Sequence, residues 1–266
     1  MSLYDIRYYL QDEKNLLRDI FSKANSIFLD SGVYEVETSS RRGLAINEWD
    51  YELYLDTLKW VLSESNLNGK LYVNNYDNYS LSLNKQIETS IDSFKKIDGE
   101  FGLTDARYVF TIHIDPLKVA DWEKSNIQTL VSDFKDSALI AIPEKELGAS
   151  LHDKIKSIRI LTSLGYPLHL LGCLDPTHLI IFALAGVRYF DGLNWLKFYF
   201  NNKLSYYRNQ YELDLIRGNV VDPRLYVINN CVYIDKLIND LEYSIATKDY
   251  SLFEEERRIL SQLEQI

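Results

Sequence analysis

Cysteine is scarce in this chain: Cys173 and Cys231 are its two thiols, and they lie far apart. Such a pair makes neither a disulfide framework nor a metal cage. Long hydrophobic runs are missing as well. The longest apolar stretches, such as Leu179 to Val187, fall well short of the roughly 20 residues a bilayer-spanning helix needs. No charged-then-apolar leader with a small-residue cleavage site opens the sequence, so a cytoplasmic protein without membrane attachment is expected. Basic residues are outnumbered, with 29 Lys and Arg against 39 Asp and Glu and a formal charge of −10. Nucleic-acid binders draw most of their affinity from Lys and Arg placed on phosphates. This balance predicts no broad RNA footprint, leaving room only for a local basic stripe. No glycine-rich phosphate loop and no serine-nucleophile elbow is present.

What the chain does have is apolar content: 46% of its 266 residues are hydrophobic, ample for one large core. One domain over residues 1–266 is the expectation. Tyrosine is abundant at 20 residues. Amphipathic tyrosines along the core rim explain most of these, with base stacking or a protein interface open to the rest.

Helical spacing of Ile6, Tyr9, Leu10, Leu16, Leu17, Ile20 and Phe21 predicts an N-terminal helix within residues 1–25. A strand follows at Ser26 to Leu29, turning at Asp30-Ser-Gly32, and then a polar loop with Arg41-Arg42-Gly43. Helices are predicted over Asp50 to Leu62, Leu81 to Ile97, Leu117 to Phe134, His152 to Leu164 and Thr177 to Leu184. Between them fall strands at Leu71 to Val73, Tyr108 to Ile114, Ala138 to Ile142, Leu168 to Leu171 and Val187 to Phe190. Strands alternating with helices imply right-handed βαβ units and a parallel sheet. Six strand-like segments are two short of a closed eight-strand barrel. Residues 194–266 read as a C-terminal helical region with an irregular stretch near Arg217 to Arg224; the Glu254 to Arg258 charge run is the exposed face of its last helix.

Parallel sheets place their sites at the C-terminal ends of the strands. The polar residues there are Asp30, Asp77, His113, Glu144, Gly172 and Asp191. For any one of these aspartates alone, capping the helix after a βα turn is an equally good explanation. His152, His169 and His178 show no metal-like clustering, and His169 reads as a structural residue. Arg41-Arg42-Gly43 reads as a solvated turn ahead of a phosphate contact.

Context shifts the balance for the aspartates. Phe28-Leu-Asp-Ser-Gly-Val-Tyr-Glu-Val36 resembles the L-T-D-S-G-G-(F/Y)-Q-V segment of the tRNA-guanine (queuine) transglycosylase family. His169-Leu-Leu-Gly172 followed by Asp175-Pro176 resembles its H-L-(M/L)-G-x-G-x-P stretch, and Gly186-Val-Arg-Tyr-Phe-Asp191 its G-V-D-x-F-D. Tyr76-Asp77 falls where the family has Phe-Asp, Thr111-Ile-His113 where it has I-V-Q, and Asn229-Asn230 with Tyr233 looks like the start of its terminal helix. The resemblance spans about Ile27 to Phe253.

It implies an α/β fold, a TIM-like (β/α) barrel shortened at the N-terminus and lacking the family's zinc-binding subdomain. It also implies chemistry with two carboxylates, a nucleophile at Asp191 and a proton handler at Asp30. Asp77 would accept hydrogen bonds from N1–H and the exocyclic amine of the base. Tyr34 would stack on one face and Leu171-Gly172 close the other, with Ser31, His113 and Glu144 completing the pocket. Several departures rebuild one wall: Val33 stands for the second Gly, Glu35 for the Gln, His113 for the base-reading Gln, and Pro143-Glu144 for a Gly-Gly. With no cysteine between Asp191 and Cys231, the family's zinc cage cannot form, and no metal or other cofactor is expected.

The missing zinc arm and the acidic charge make tRNA an improbable partner. Short proteins of this kind resemble accessory proteins of bacterial antiphage operons of the cyclic-oligonucleotide (CBASS) type. The resemblance therefore implies a 7-deazaguanine-type base presented on a modified partner protein, such as the operon's nucleotidyltransferase. A true guanine transglycosylase acting on tRNA or DNA, and a non-catalytic structural subunit, are the two alternatives. The incomplete barrel predicts a homodimer, because an open sheet edge needs covering.

Overall fold

The computed structural model describes residues 1–10, 12–34, 36, 47–64, 70–102, 106–114, 134, 138–173, 175–191, 203–206, 209–212 and 223–265. Arg41-Arg42-Gly43, Glu35, the turn at 66–69, nearly all of the helix expected over Leu117 to Phe134, and the irregular stretch through 217–222 lie outside these residues. Two compact units divide the chain: Met1–Ile114 with Glu123–Ala141, and Asp115–Trp122 with Ile142–Ile266.

The architecture is mixed α/β. Its parallel strands β1 (Ser26–Leu29), β2 (Lys70–Asn74), β3 (Arg107–Thr111), β4 (Ala138–Pro143), β5 (Leu168–Leu171) and β6 (Tyr189–Phe190) are ordered as in the sequence. Strands in sequence order alternating with helices are the pattern found in part of a (β/α) barrel.

In the first unit β1, β2, β3 and β4 pair in parallel register, with Phe28 beside Tyr72, Val73 beside Tyr108 and Val109 beside Leu139. Strand β4, Ala-Leu-Ile-Ala-Ile-Pro, is buried along almost its whole length, the unbroken apolar run of a strand covered on both faces. Helix α1 (Lys14–Lys23) buries Leu17 and Phe21, four residues apart on one face. Helix α2 (Tyr51–Glu64) follows, and helix α3 (Leu83–Phe101) buries Gln86, Ile87, Ser90, Phe94 and Ile97 as a single stripe. Gly102, at φ +57°, ends α3 in the left-handed conformation and donates its N–H to Asp98 O at 2.8 Å.

The N-terminal segment differs from the single helix expected. A short α-turn, Leu3–Asp5, runs into a π-helical turn, Ile6–Leu10, before α1 begins at Lys14. The reason is a tertiary bond: residues 1–3 are pulled alongside the end of β1. Asp30 N donates to Met1 O at 2.7 Å and Leu3 N to Asp30 O at 2.9 Å, closing a parallel bridge between Ser2 and Asp30. The chain's own first residues thus border the end of β1.

In the second unit β5 and β6 pair in parallel, His169 beside Tyr189. Helix α4 (Leu151–Ser163) opens with a capping box between Ser150 and Asp153. Helix α5 (Pro176–Leu184) opens with Asp175 as N-cap, its Oδ1 accepting from His178 N at 3.0 Å, and Pro176 in the first turn. Residues 203–212, expected to be helical, include an antiparallel hairpin of β7 (Lys203–Tyr206) and β8 (Asn209–Glu212). Helix α6 (Pro223–Thr247) and helix α7 (Glu254–Leu263) complete the unit. Phe253 and Leu260 are buried where α7 packs against α4 and α5, and His152 Nδ1 lies 3.0 Å from Leu263 O. No helix among the described residues is long and apolar enough to cross a membrane.

Candidate functional site

The first unit gathers polar side chains where β1, β2 and β3 end. At the end of β1, Asp30 presents Oδ1 to Asn74 Nδ2 at 2.8 Å, and Oδ2 to the backbone N–H of Gly32 at 3.3 Å. The turn that makes this possible needs glycine. Gly32 sits at φ +82°, and a Cβ there would come within 2.4 Å of Tyr4 Cβ and 2.8 Å of Tyr4 N. Ser31 is fully buried, and its carbonyl accepts from the indole of Trp49 at 3.0 Å.

Strand β2 runs from apolar Leu71-Tyr-Val73 into Asn74 and Asn75, both buried, and then to Asp77 at 5% exposure. Asn75 is held from every side. Its Nδ2 donates to Ser90 Oγ at 2.9 Å and to Thr111 O at 3.3 Å, and its Oδ1 accepts from Thr111 N at 2.6 Å. It acts as a clamp between β2, β3 and α3. Tyr54 of α2 reaches across to donate its hydroxyl to Asn74 O at 2.6 Å.

Just past the end of β3, His113 is positioned through its backbone. Gln86 of α3 accepts from His113 N at 2.8 Å and donates to His113 O at 2.8 Å, imitating a neighbouring strand. The imidazole packs on Tyr79 with ring centroids 3.8 Å apart, and its Nε2 lies 3.7 Å from Asp77 Oδ2. That separation is beyond a good hydrogen bond.

Burial is the largest influence on Asp77 and raises its pKa to about 6; the charge of Asp30 adds to the effect, while the nearby His113 imidazole and Ser31 hydroxyl oppose it. Asp77 Oδ1 meets no hydrogen-bond donor among the described residues, and neither do Asn74 Oδ1 or Thr111 Oγ1. Three buried polar oxygens at or just past the ends of β2 and β3 therefore lack a partner among the described residues. Chemically, the Asn74 and Asp77 oxygens can accept from N–H or O–H donors, and the Thr111 hydroxyl can accept or donate.

Of the residues predicted from sequence, Asp30, Ser31, Asp77 and His113 come together here. Tyr34 follows Gly32 and Val33 and is 56% exposed. The remaining predicted residues belong to the second unit. Glu144, after β4, is engaged by Lys154 Nζ at 2.6 Å and His178 Nδ1 at 3.3 Å. These partners hold its carboxyl below the usual range against the effect of burial, the His178 hydrogen bond being the largest influence. Leu171 ends β5. Gly172, at φ +69°, donates its N–H to Asp191 Oδ1, and a Cβ at Gly172 would meet nothing within 4 Å. Asp191 is exposed directly after β6, its own N–H bonded to Leu170 O at 3.1 Å. Nearby Cys173 is buried, and burial pushes its thiol up to about 12.

Sequence reasoning missed Asn74, Asn75, Tyr54, Trp49 and Gln86. For Gln86 the signal was available: a polar residue inside the apolar stripe of α3. For Asn74 and Asn75 it was the abrupt change from an apolar strand to two amides, which reads equally well as a turn. Among the described residues, no group of three or more His, Cys, Asp or Glu is placed to hold a metal ion. Comparison with protein-family models finds no match. Comparison with curated proteins also finds none.

Proposed function

We propose that the chain recognises a guanine-like base of the 7-deazaguanine type, with Asp77 as the principal acceptor of the base's N–H edge. The observation that carries this reading is the buried Asp77 carboxylate, whose Oδ1 faces no donor among the described residues. A carboxylate two oxygens wide matches a ring N–H beside an exocyclic amine, and such charge-assisted bidentate pairs are the stronger kind of hydrogen bond. Asp30, held by Asn74 and the Gly32 N–H, stands beside it as a second carboxylate. The likeness of the Asp30-Ser-Gly32 and Tyr76-Asp77 segments to those of the guanine transglycosylases supports the same assignment. Formal charge −10 supports a carrier other than tRNA, such as a base-modified protein.

Thermal melting tests the assignment. A 7-deazaguanine such as preQ0 or preQ1, at about 100 times its Kd, stabilises the chain by about 2.7 kcal/mol. In Asp77→Asn, which offers one acceptor oxygen instead of two, the shift is lost. Melting that no deazapurine changes in the wild-type protein would sink the assignment.

A further inference from the structure

Asn74, the last residue of β2, is 4% exposed. Its Nδ2 donates to Asp30 Oδ1 at 2.8 Å. An ionised carboxylate only accepts, so this bond dictates which end of the amide faces Asp30. Asn74 Oδ1 is thereby turned away from Asp30, to a buried position where no donor among the described residues meets it. Asp77 Oδ1, three positions further along, is in the same state, and Asp30 acts on both residues. A buried oxygen left unsatisfied is costly, because it has given up water without gaining a partner. Asn75 provides the contrast: its amide nitrogen and oxygen both have protein partners, as a purely structural asparagine should.

We propose that Asn74 is a second ligand acceptor of this site, taking the amine hydrogen that Asp77 leaves over, while its amide nitrogen keeps Asp30 in place. The inference rests on the base-recognition reading above. A 2-aminopyrimidin-4-one edge carries three hydrogens, one on the ring nitrogen and two on the amine. A bidentate carboxylate takes one of each, and the remaining amine hydrogen needs another acceptor. Asn74 Oδ1 supplies it and makes the site selective for an unsubstituted amine.

Isothermal titration of the full chain with 7-deazaguanine and with its N2-methyl derivative tests this. Wild-type protein is expected to bind the parent base and to bind the methylated one about tenfold more weakly, the worth of one hydrogen bond. Asn74→Ala, with the acceptor gone and space opened, is expected to bind the two bases within about twofold of each other. The ligand comparison on wild-type protein stands even if that variant does not fold. Equal affinity of wild-type protein for both bases, with binding still lost in Asp77→Asn, overturns the role of Asn74 alone. No binding of either base overturns the base-recognition reading and this inference together.

Discussion

Asp77 and His169 carry opposite pH signatures, each caused by burial. Asp77 is raised to about 6 from an ordinary 3.8. Its contribution is fully favourable below pH 3.8 and is lost as pH rises through about 6, because the folded chain must then hold a buried charge. His169 is lowered to about 4 from 6.5 by desolvation. Its contribution is present above pH 6.5 and is lost as pH falls through about 4. Asp77→Asn removes only the first effect. Its stability relative to wild type should therefore climb between pH 4 and 7 by on the order of 3 kcal/mol, at 1.36 kcal/mol per pKa unit. Urea denaturation across that range reads the difference directly, and a pH-independent difference would contradict the burial of a lone-sided carboxylate. The thiols make a second prediction. Cys231 is exposed and Cys173 buried. The native protein should react rapidly at one thiol per chain, and Cys231→Ser should abolish that fast reaction, with Cys173 labelled only in denaturant. Carboxylates at strand ends could be picked out of the sequence because strand ends carry sites in parallel sheets. How they are held could not, since Asn74 reaches Asp30 only through folding.

Among the elements, the turn after β1 is tightly constrained. Gly32→Ala would force a residue with a side chain into φ +82° and drive its Cβ into Tyr4. A loss of about 2–3 kcal/mol is expected, combining backbone strain with overpacking. Because the same turn places Asp30, the proposed base binding should weaken in parallel. A Gly32→Ala protein with unchanged melting temperature would refute the close approach of Tyr4. Strand and helix positions were largely legible from hydrophobic period: β1, β2, β4 and β5 and helices α2 to α5 lie within a few residues of where their patterns place them. Two elements were not. The helix expected near the N-terminus is interrupted because Met1 and Leu3 bond to Phe28 and Asp30 of the β1 edge, a contact invisible to local spacing. The hairpin of β7 and β8 was hidden because Lys203 to Tyr206 and Asn209 to Glu212 are too short and too polar to announce themselves against a helical background.

For the whole molecule, the acidic balance is the governing fact. With 39 acidic against 29 basic residues, long-range repulsion works against any polyphosphate. A gel-shift at physiological salt should show no retention of tRNA at micromolar protein, and a stable complex would reverse the choice of partner. The sequence by itself determined this charge, the mixed α/β class and the succession of parallel strands, because composition and hydrophobic period act through local and summed properties of the chain. It also marked Asp30 and Asp77 as candidates. Only the tertiary structure decided which buried oxygens meet no donor among the described residues, that Asn74 holds Asp30, that Gln86 pins His113, and that Glu144 is already engaged by Lys154 and His178. Those outcomes depend on desolvation and on distances between residues far apart in sequence, and neither quantity exists until the chain has folded.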